Sequence, residues 1–161
     1  MRPLYTRVEP LDERARSLFG LDEDLLMEHA ALALVHHVPT SHQRLLIVCG
    51  PGNNGADGLA AARLLMERFC VDVYLPLGAK SSQAQKQHHR FQALGGHITT
   101  QEPSLDGYDT IIDALFGSKG RPLDTATLAF IDRLNTAQAF KIACDIPSGL
   151  QDYPSDRKSV V

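Results

Sequence analysis

The stretch that most restricts this chain is Leu45-Leu46-Ile47-Val48-Cys49, followed by Gly50-Pro51-Gly52-Asn53-Asn54-Gly55-Ala56-Asp57-Gly58 and then Leu59-Ala60-Ala61-Ala62-Arg63-Leu64-Leu65-Met66. A continuous apolar run without polar alternation suits a strand covered on both faces of a parallel sheet. The Ala/Leu-rich segment beyond the loop is built from strong helix formers. Strand, glycine-rich loop and helix in this order make an anion site. Glycine lets the backbone approach a ligand closely, and the helix N-terminus aims free N–H groups at a phosphate. The loop lacks the Gly-Lys-Ser/Thr ending of a Walker loop. Gly50, Gly52 and Gly55 have Gly-x-Gly-x-x-Gly spacing, a weak signal alone. Asn53, Asn54 and Asp57 set it apart, by adding amide groups and a carboxylate. The competing use of Asn54 or Asp57 is as a helix N-cap.

The remaining chain repeats the alternation. Leu11 to Val38 has helical spacing of Leu18, Leu21, Leu25, Leu26, Ala30 and Ala33, with Gly20 and Asp22 marking a break and restart. Strands are expected at Val71–Pro76, His97–Thr100, Tyr108–Leu115 and Ala139–Asp145. Helices are expected at Ser81–Leu94, stopped by Gly95-Gly96, and at Thr125–Leu134. The pattern predicts an α/β fold, a Rossmann-like three-layer α/β/α sandwich with a mostly parallel sheet, formed by residues 1–161 as one domain.

Two further loops follow predicted strands. In an open parallel sheet ligands bind beyond the carboxyl ends of the strands, so all three loops can share one crevice. The second loop is Asp113-Ala114-Leu115-Phe116-Gly117-Ser118-Lys119-Gly120-Arg121-Pro122-Leu123. An unpaired carboxylate at Asp113, at the end of an apolar strand, is costly. A hard cation with oxygen ligands would be a natural partner, and capping of nearby N–H groups is the alternative. Lys119 and Arg121 can meet phosphate or stay solvated. The third loop is Asp145-Ile146-Pro147-Ser148-Gly149, a tight turn that presents the Ser148 hydroxyl. No histidine is placed to make Ser148 a nucleophile. None of the seven histidines has metal-motif spacing, and none is assigned a role.

Composition narrows the function classes. With 161 residues, 43% hydrophobic and 22% charged, the chain reads as one soluble domain. A net charge of −3 offers no basic field for nucleic acid. Cys49, Cys70 and Cys144 are odd in number and scattered, which suits buried reduced thiols. No signal-peptide core or membrane-length apolar run is visible, so a cytoplasmic location is expected.

The three loops together resemble the YjeF N-terminal domain family, the NAD(P)H-hydrate epimerases. The resemblance runs from about Leu11 to Leu150. It is carried by Val48-Cys49-Gly50-Pro51-Gly52-Asn53-Asn54-Gly55-Ala56-Asp57-Gly58, by Asp113-Ala114-Leu115-Phe116-Gly117, by Asp145-Ile146-Pro147-Ser148-Gly149 and by the helical string Leu26-Met27-Glu28-His29-Ala30. It implies interconversion of the R and S epimers of hydrated NADH and NADPH. It implies one potassium ion per subunit, held at Asn54, Asp113 and Ser148. The hydrated nucleotide would be held by Asn53, Asn54, Gly55, Ala56 and Asp57, by Gly117, Ser118, Lys119, Gly120, Arg121, Pro122 and Leu123, and by Asp145. Asp145 is the expected acid/base residue, with Asp57 second. A homodimer and a fused or separate dehydratase are also implied. The alternative is a non-catalytic nucleotide-binding or interaction module of the same fold. A kinase-like enzyme is a third reading, against which stands the missing phosphate-loop lysine.

Departures from the family pattern set further expectations. Ala56 stands where the family has glycine, and a positive φ there would strain it by roughly 1 kcal/mol. His29 stands where asparagine is usual. The Gly117–Leu123 loop is about one residue short. The tail Asp156-Arg157-Lys158-Ser159-Val160-Val161 matches what a common sequencing adapter encodes in one frame. The natural protein is therefore expected to continue, leaving a sheet edge unpaired here; resequencing the locus tests this.

Overall fold

The computed structural model describes residues 9–118 and 123–150. In chain order the elements are α1 (Glu9–Phe19), α2 (Glu23–His36), β1 (Arg44–Cys49), α3 (Asn53–Leu65), β2 (Cys70–Tyr74), α4 (Ser82–Ala93), β3 (His97–Thr99), β4 (Thr110–Ala114), α5 (Thr125–Thr136) and β5 (Phe140–Ala143). The expected break in the first helical stretch is real. Gly20 takes φ +65°, and the Asp22 side chain accepts from the Leu25 N–H to cap α2.

The five strands form one sheet in the order β3-β2-β1-β4-β5, and every pairing is parallel. β1 lies at the centre, and it is buried from Leu45 to Cys49. Its residues alternate between two cores. Leu45, Ile47 and Cys49 join Met27 and Ala31 of α2, the apolar face of α3, and Ala84 and Phe91 of α4. Leu46 and Val48 join Ile111, Leu115 and, from α5, Phe130, Ile131 and Leu134. Helices α2, α3 and α4 therefore cover one face of the sheet and α5 the other, which is why the β1 sequence shows no polar alternation.

α3 lies unusually close to the sheet. A Cβ on Gly58 would sit 2.6 Å from Ala114 Cβ and 2.9 Å from Cys49 Sγ. α4 is polar, yet it packs through Ala84, Gln87 and Phe91 at helical spacing. Its outer charges meet α2, where Arg90 pairs with Asp24 at 3.3 Å and Lys86 also bonds Asp24.

Two expectations need correction. Cys49 and Cys144 are buried thiols, but Cys70 is exposed, because it is the first residue of β2 at the amino edge of the sheet. The supposed long loop is a short turn. α3 begins at Asn53, so Asn53 to Gly58 are helical and only Gly50, Pro51 and Gly52 turn the chain.

Candidate active site

The strand order reverses beside β1, between β1 and β4, and the crevice of a doubly wound sheet opens beyond the carboxyl ends of such strands. Here the turn after β1 and the turn after β4 are locked together by backbone contact. The Gly50 N–H donates to the Ala114 carbonyl at 3.0 Å, and a Cβ on Gly50 would lie 1.8 Å from the Leu115 carbonyl oxygen. A Cβ on Gly55 would lie 1.8 Å from the Gly50 carbonyl oxygen. These glycines are required by close approach of main chain to main chain.

Gly52 is the N-cap of α3 and supplies no side-chain hydrogen bond. Neither Asn54 nor Asp57 takes the capping role. The first N–H groups of α3 thus keep no partner within the helix and are available to an anion. Ala56 is helical, does not have positive φ and is fully buried, with its N–H bonded to the Gly52 carbonyl at 3.0 Å. The strain anticipated there is absent. The methyl group belongs to the core, and Ala56 has no free surface with which to touch a ligand.

Asp113 and Ser148 form a buried knot between the second and third loops. The Ser148 N–H donates to Asp113 Oδ2 at 2.7 Å and its hydroxyl to Asp113 Oδ1 at 2.6 Å. The Leu115 N–H donates to Oδ1 at 3.2 Å, and the Phe116 N–H donates to Ser148 Oγ at 3.0 Å. Burial pushes the Asp113 carboxyl upward in pKa, while these donors pull it down. Among the described residues no basic side chain pairs with it.

Asp145 lies just beyond β5 with φ +69°, the only positive φ among the described non-glycine residues. Such conformations cluster at functional sites, and aspartate tolerates them better than most residues. Its Oδ2 accepts from the Ser118 N–H at 2.6 Å. Gly117 makes room for this: a Cβ there would lie 2.7 Å from Asp145 Oδ2 and 3.5 Å from Asn54 Oδ1. Asn54, Gly117, Ser118 and Asp145 therefore converge, although up to ninety residues of chain separate them. Asn54 Nδ2 is buried and without a partner among the described residues.

Asp57 completes the cluster. Burial, and then the neighbouring Asp145 charge, push its carboxyl up to about 7. Cys144 is pushed up to about 12, first by burial and then by Asp57, Asp145 and Asp113. The charges of all three carboxyl groups thus reach the Cys144 thiol.

The other predicted positions divide. Asn53 is exposed at the start of α3, and its Nδ2 donates to Glu23 at 3.0 Å. Gly55 is buried behind the turn. Leu123 is half-buried and packs with the α5-side core. Lys119, Gly120, Arg121 and Pro122 lie outside the described residues. Sequence reading missed Glu23 and Cys144. No motif marks Glu23, which in sequence is merely an acidic residue in the first turn of α2.

Two clefts lie away from this cluster. One of about 670 Å³, between α2, α3 and α4, is lined by Leu25, Glu28, Arg63 and Arg90, and one of about 790 Å³ at the amino edge of the sheet is lined by His42, Tyr108 and Phe140. Neither contains Asp57, Asp113 or Asp145. Among the described residues, no three His, Cys, Asp or Glu side chains group as a metal site, and no helix is long and apolar enough to cross a membrane.

Comparison with known proteins agrees with this arrangement. The profile of the YjeF-related protein N-terminus family matches residues 23–159. The bifunctional NAD(P)H-hydrate repair enzyme Nnr of Helicobacter pylori is 38% identical over 157 residues, covering 93% of this chain and 34% of that protein. The NAD(P)H-hydrate epimerase of Aedes aegypti is 31% identical over 166 residues, covering 93% of this chain and 72% of that protein. That of Limosilactobacillus fermentum is 35% identical over 147 residues, covering 86% and 70%. The crystal structure of yeast ynu0 shares the fold, with a TM-score of 0.75 at 22% identity over 94% of this chain and 73% of that one. With its helix-covered parallel sheet and its three converging loops, the chain belongs to the YjeF-related protein N-terminus family.

Proposed function

We propose that this chain is an isomerase, an NAD(P)H-hydrate epimerase that interconverts the R and S epimers of hydrated NADH and NADPH in nicotinamide nucleotide repair. The names of the Aedes aegypti and Limosilactobacillus fermentum relatives support this reading. The observation that carries it is the convergence of Asn54, Gly117, Ser118 and Asp145 by the open N-terminus of α3, with Asp57 near enough to feel the Asp145 charge. Inverting the hydrated carbon requires loss and return of water or hydroxide, or opening and closure of the ring. Either route needs one group that donates a proton and another that accepts it. Two carboxyl groups, one of them kept protonated near neutral pH first by burial and then by the charge of the other, supply that pair. Asp145 is the acceptor in this scheme. Asp57, held near neutrality, is the donor. The N–H groups of the first α3 turn bind nucleotide phosphate, with Asn53 and Asn54 beside them, and Gly117 and Ser118 border the opposite side.

A potassium ion suits the Asp113–Ser148 knot. Asp113 is a buried carboxylate without a basic partner among the described residues, and the Ser148 hydroxyl oxygen lies 2.6 Å from its Oδ1. Asn54, Asp113 and Ser148 would hold the ion, which would supply the missing positive charge. A homodimer, and a dehydratase fused or separate, belong to the same proposal. A cytoplasmic location does as well, since free thiols suit a reducing compartment. Incubation with resolved S-hydrated NADH tests the proposal: R-hydrated NADH should accumulate faster than in buffer, and accumulation at the spontaneous rate would overturn it.

A further inference from the structure

Glu23 opens α2 and bonds two other helices at once. One carboxylate oxygen accepts from Asn53 Nδ2 at 3.0 Å, the other from Gln83 Nε2 at 3.1 Å. Asn53 is the first residue of α3, is exposed, and makes no other side-chain hydrogen bond within the described chain. A carboxamide has one donor end and one acceptor end. With one Nδ2 hydrogen committed to a carboxylate that can only accept, the amide is oriented: Oδ1 is left to accept from a ligand, and the second hydrogen stays at the Nδ2 end. A carbonyl oxygen takes a hydrogen bond from a hydroxyl or an amide N–H, and it repels a phosphate oxygen. Phosphate has its own donors nearby, the first backbone N–H groups of α3. Division of labour at this helix start therefore depends on a residue thirty positions upstream.

We infer that Glu23 is a positioning residue, which fixes the Asn53 amide so that its carbonyl accepts from a hydroxyl or carboxamide group of the bound nucleotide. The identity of that nucleotide rests on the epimerase reading. Gln83 makes the proposal unusually testable. Its Oε1 is buried and unpaired beside Glu23. In E23Q, Oε1 of the new side chain can still accept from Asn53, and Gln83 can turn its amide to accept from the new NH2 group. E23A leaves Asn53 free to rotate.

The experiment compares wild type, E23A, E23Q, N53A and the double variant E23A/N53A with hydrated NADH. E23A should raise KM about fivefold, the equivalent of one hydrogen bond, with kcat changing less than about twofold. E23Q should bring KM back to within about twofold of wild type, and the double variant should be no worse than N53A alone. In 15N spectra the Asn53 side-chain NH2 pair, identified by its loss in N53A, should move in E23A and return in E23Q. Independent, multiplying effects of E23A and N53A would overturn the inference, as would an unmoved Asn53 amide signal in E23A. Should E23A fail to fold, E23Q and N53A still decide: E23Q must keep the amide signal and the low KM. If wild type binds hydrated NADH without turnover, the epimerase reading fails, and dissociation constants replace KM in the same comparison. Absence of both binding and turnover would overturn both readings.

Discussion

At Asp57 burial and a neighbouring charge act in the same direction. Its ordinary carboxylate pKa of 3.8 is pushed up to about 7, first by desolvation and then by Asp145. The folded chain thus holds this proton more tightly than the unfolded chain does. The resulting penalty is absent below about pH 4, grows as pH rises, and is complete above about 7. D57N should therefore be more stable than wild type at pH 8, by on the order of 2 kcal/mol, and no more stable at pH 4. Denaturant titrations at both pH values check this. As proton donor, Asp57 also predicts that kcat/KM declines above about pH 7, and that D57N loses this limb along with roughly a hundredfold of rate. A pH-rate profile unchanged in D57N would remove Asp57 from the mechanism. Residue identities were only partly legible in the sequence. Strand-end placement singled out Asp113 and Asp145. The competition between capping and ligand contact at Asp57 could not be decided until Gly52 proved to be the cap.

The elements show why three glycines of the first motif are not equivalent. Gly50 and Gly55 are fixed by carbonyl oxygens 1.8 Å from where a Cβ would stand, whereas Gly52 has nothing within 4 Å and a negative φ. G55A should cost about 3 kcal/mol or more and lower Tm by roughly 10 °C. G52A should cost only a few tenths of a kcal/mol. Calorimetry on both variants tests the distinction, and equal losses would contradict it. The same elements mark the reach of sequence reading. Each expected strand and helix is present, because the apolar runs and capping signals are local. α3 begins earlier than its sequence suggests, because Asn, Gly and Asp are poor helix interior residues. Close contact of Gly55 with the Gly50 turn and of Gly58 with β1 and β4 nevertheless holds them in its first turns.

On the scale of the whole molecule, sheet order places Asp57, Asp113, Asp145 and Ser148 together, which spacing along the chain does not do. What the sequence could not reveal is long-range pairing: the Glu23–Asn53 bond, the Asp113–Ser148 knot and the clearance at Gly117 all join distant segments. An ion bound to the folded chain alone stabilises it in proportion to its saturation. Potassium should accordingly raise Tm relative to sodium at equal ionic strength, and D113N should abolish that difference. A Tm indifferent to the cation would count against the proposed ion site.

The most direct measurement is epimer exchange itself. Purified protein is mixed with S-hydrated or R-hydrated NADH and the two epimers are followed by chromatography, in potassium and in sodium, with Asp145→Ala beside wild type. Both epimers should relax to one mixture well above the spontaneous rate, faster in potassium, and Asp145→Ala should be slower by a factor of about 100 or more. Hydrated nucleotide that binds but does not exchange would contradict the account and leave a nucleotide-binding module in its place.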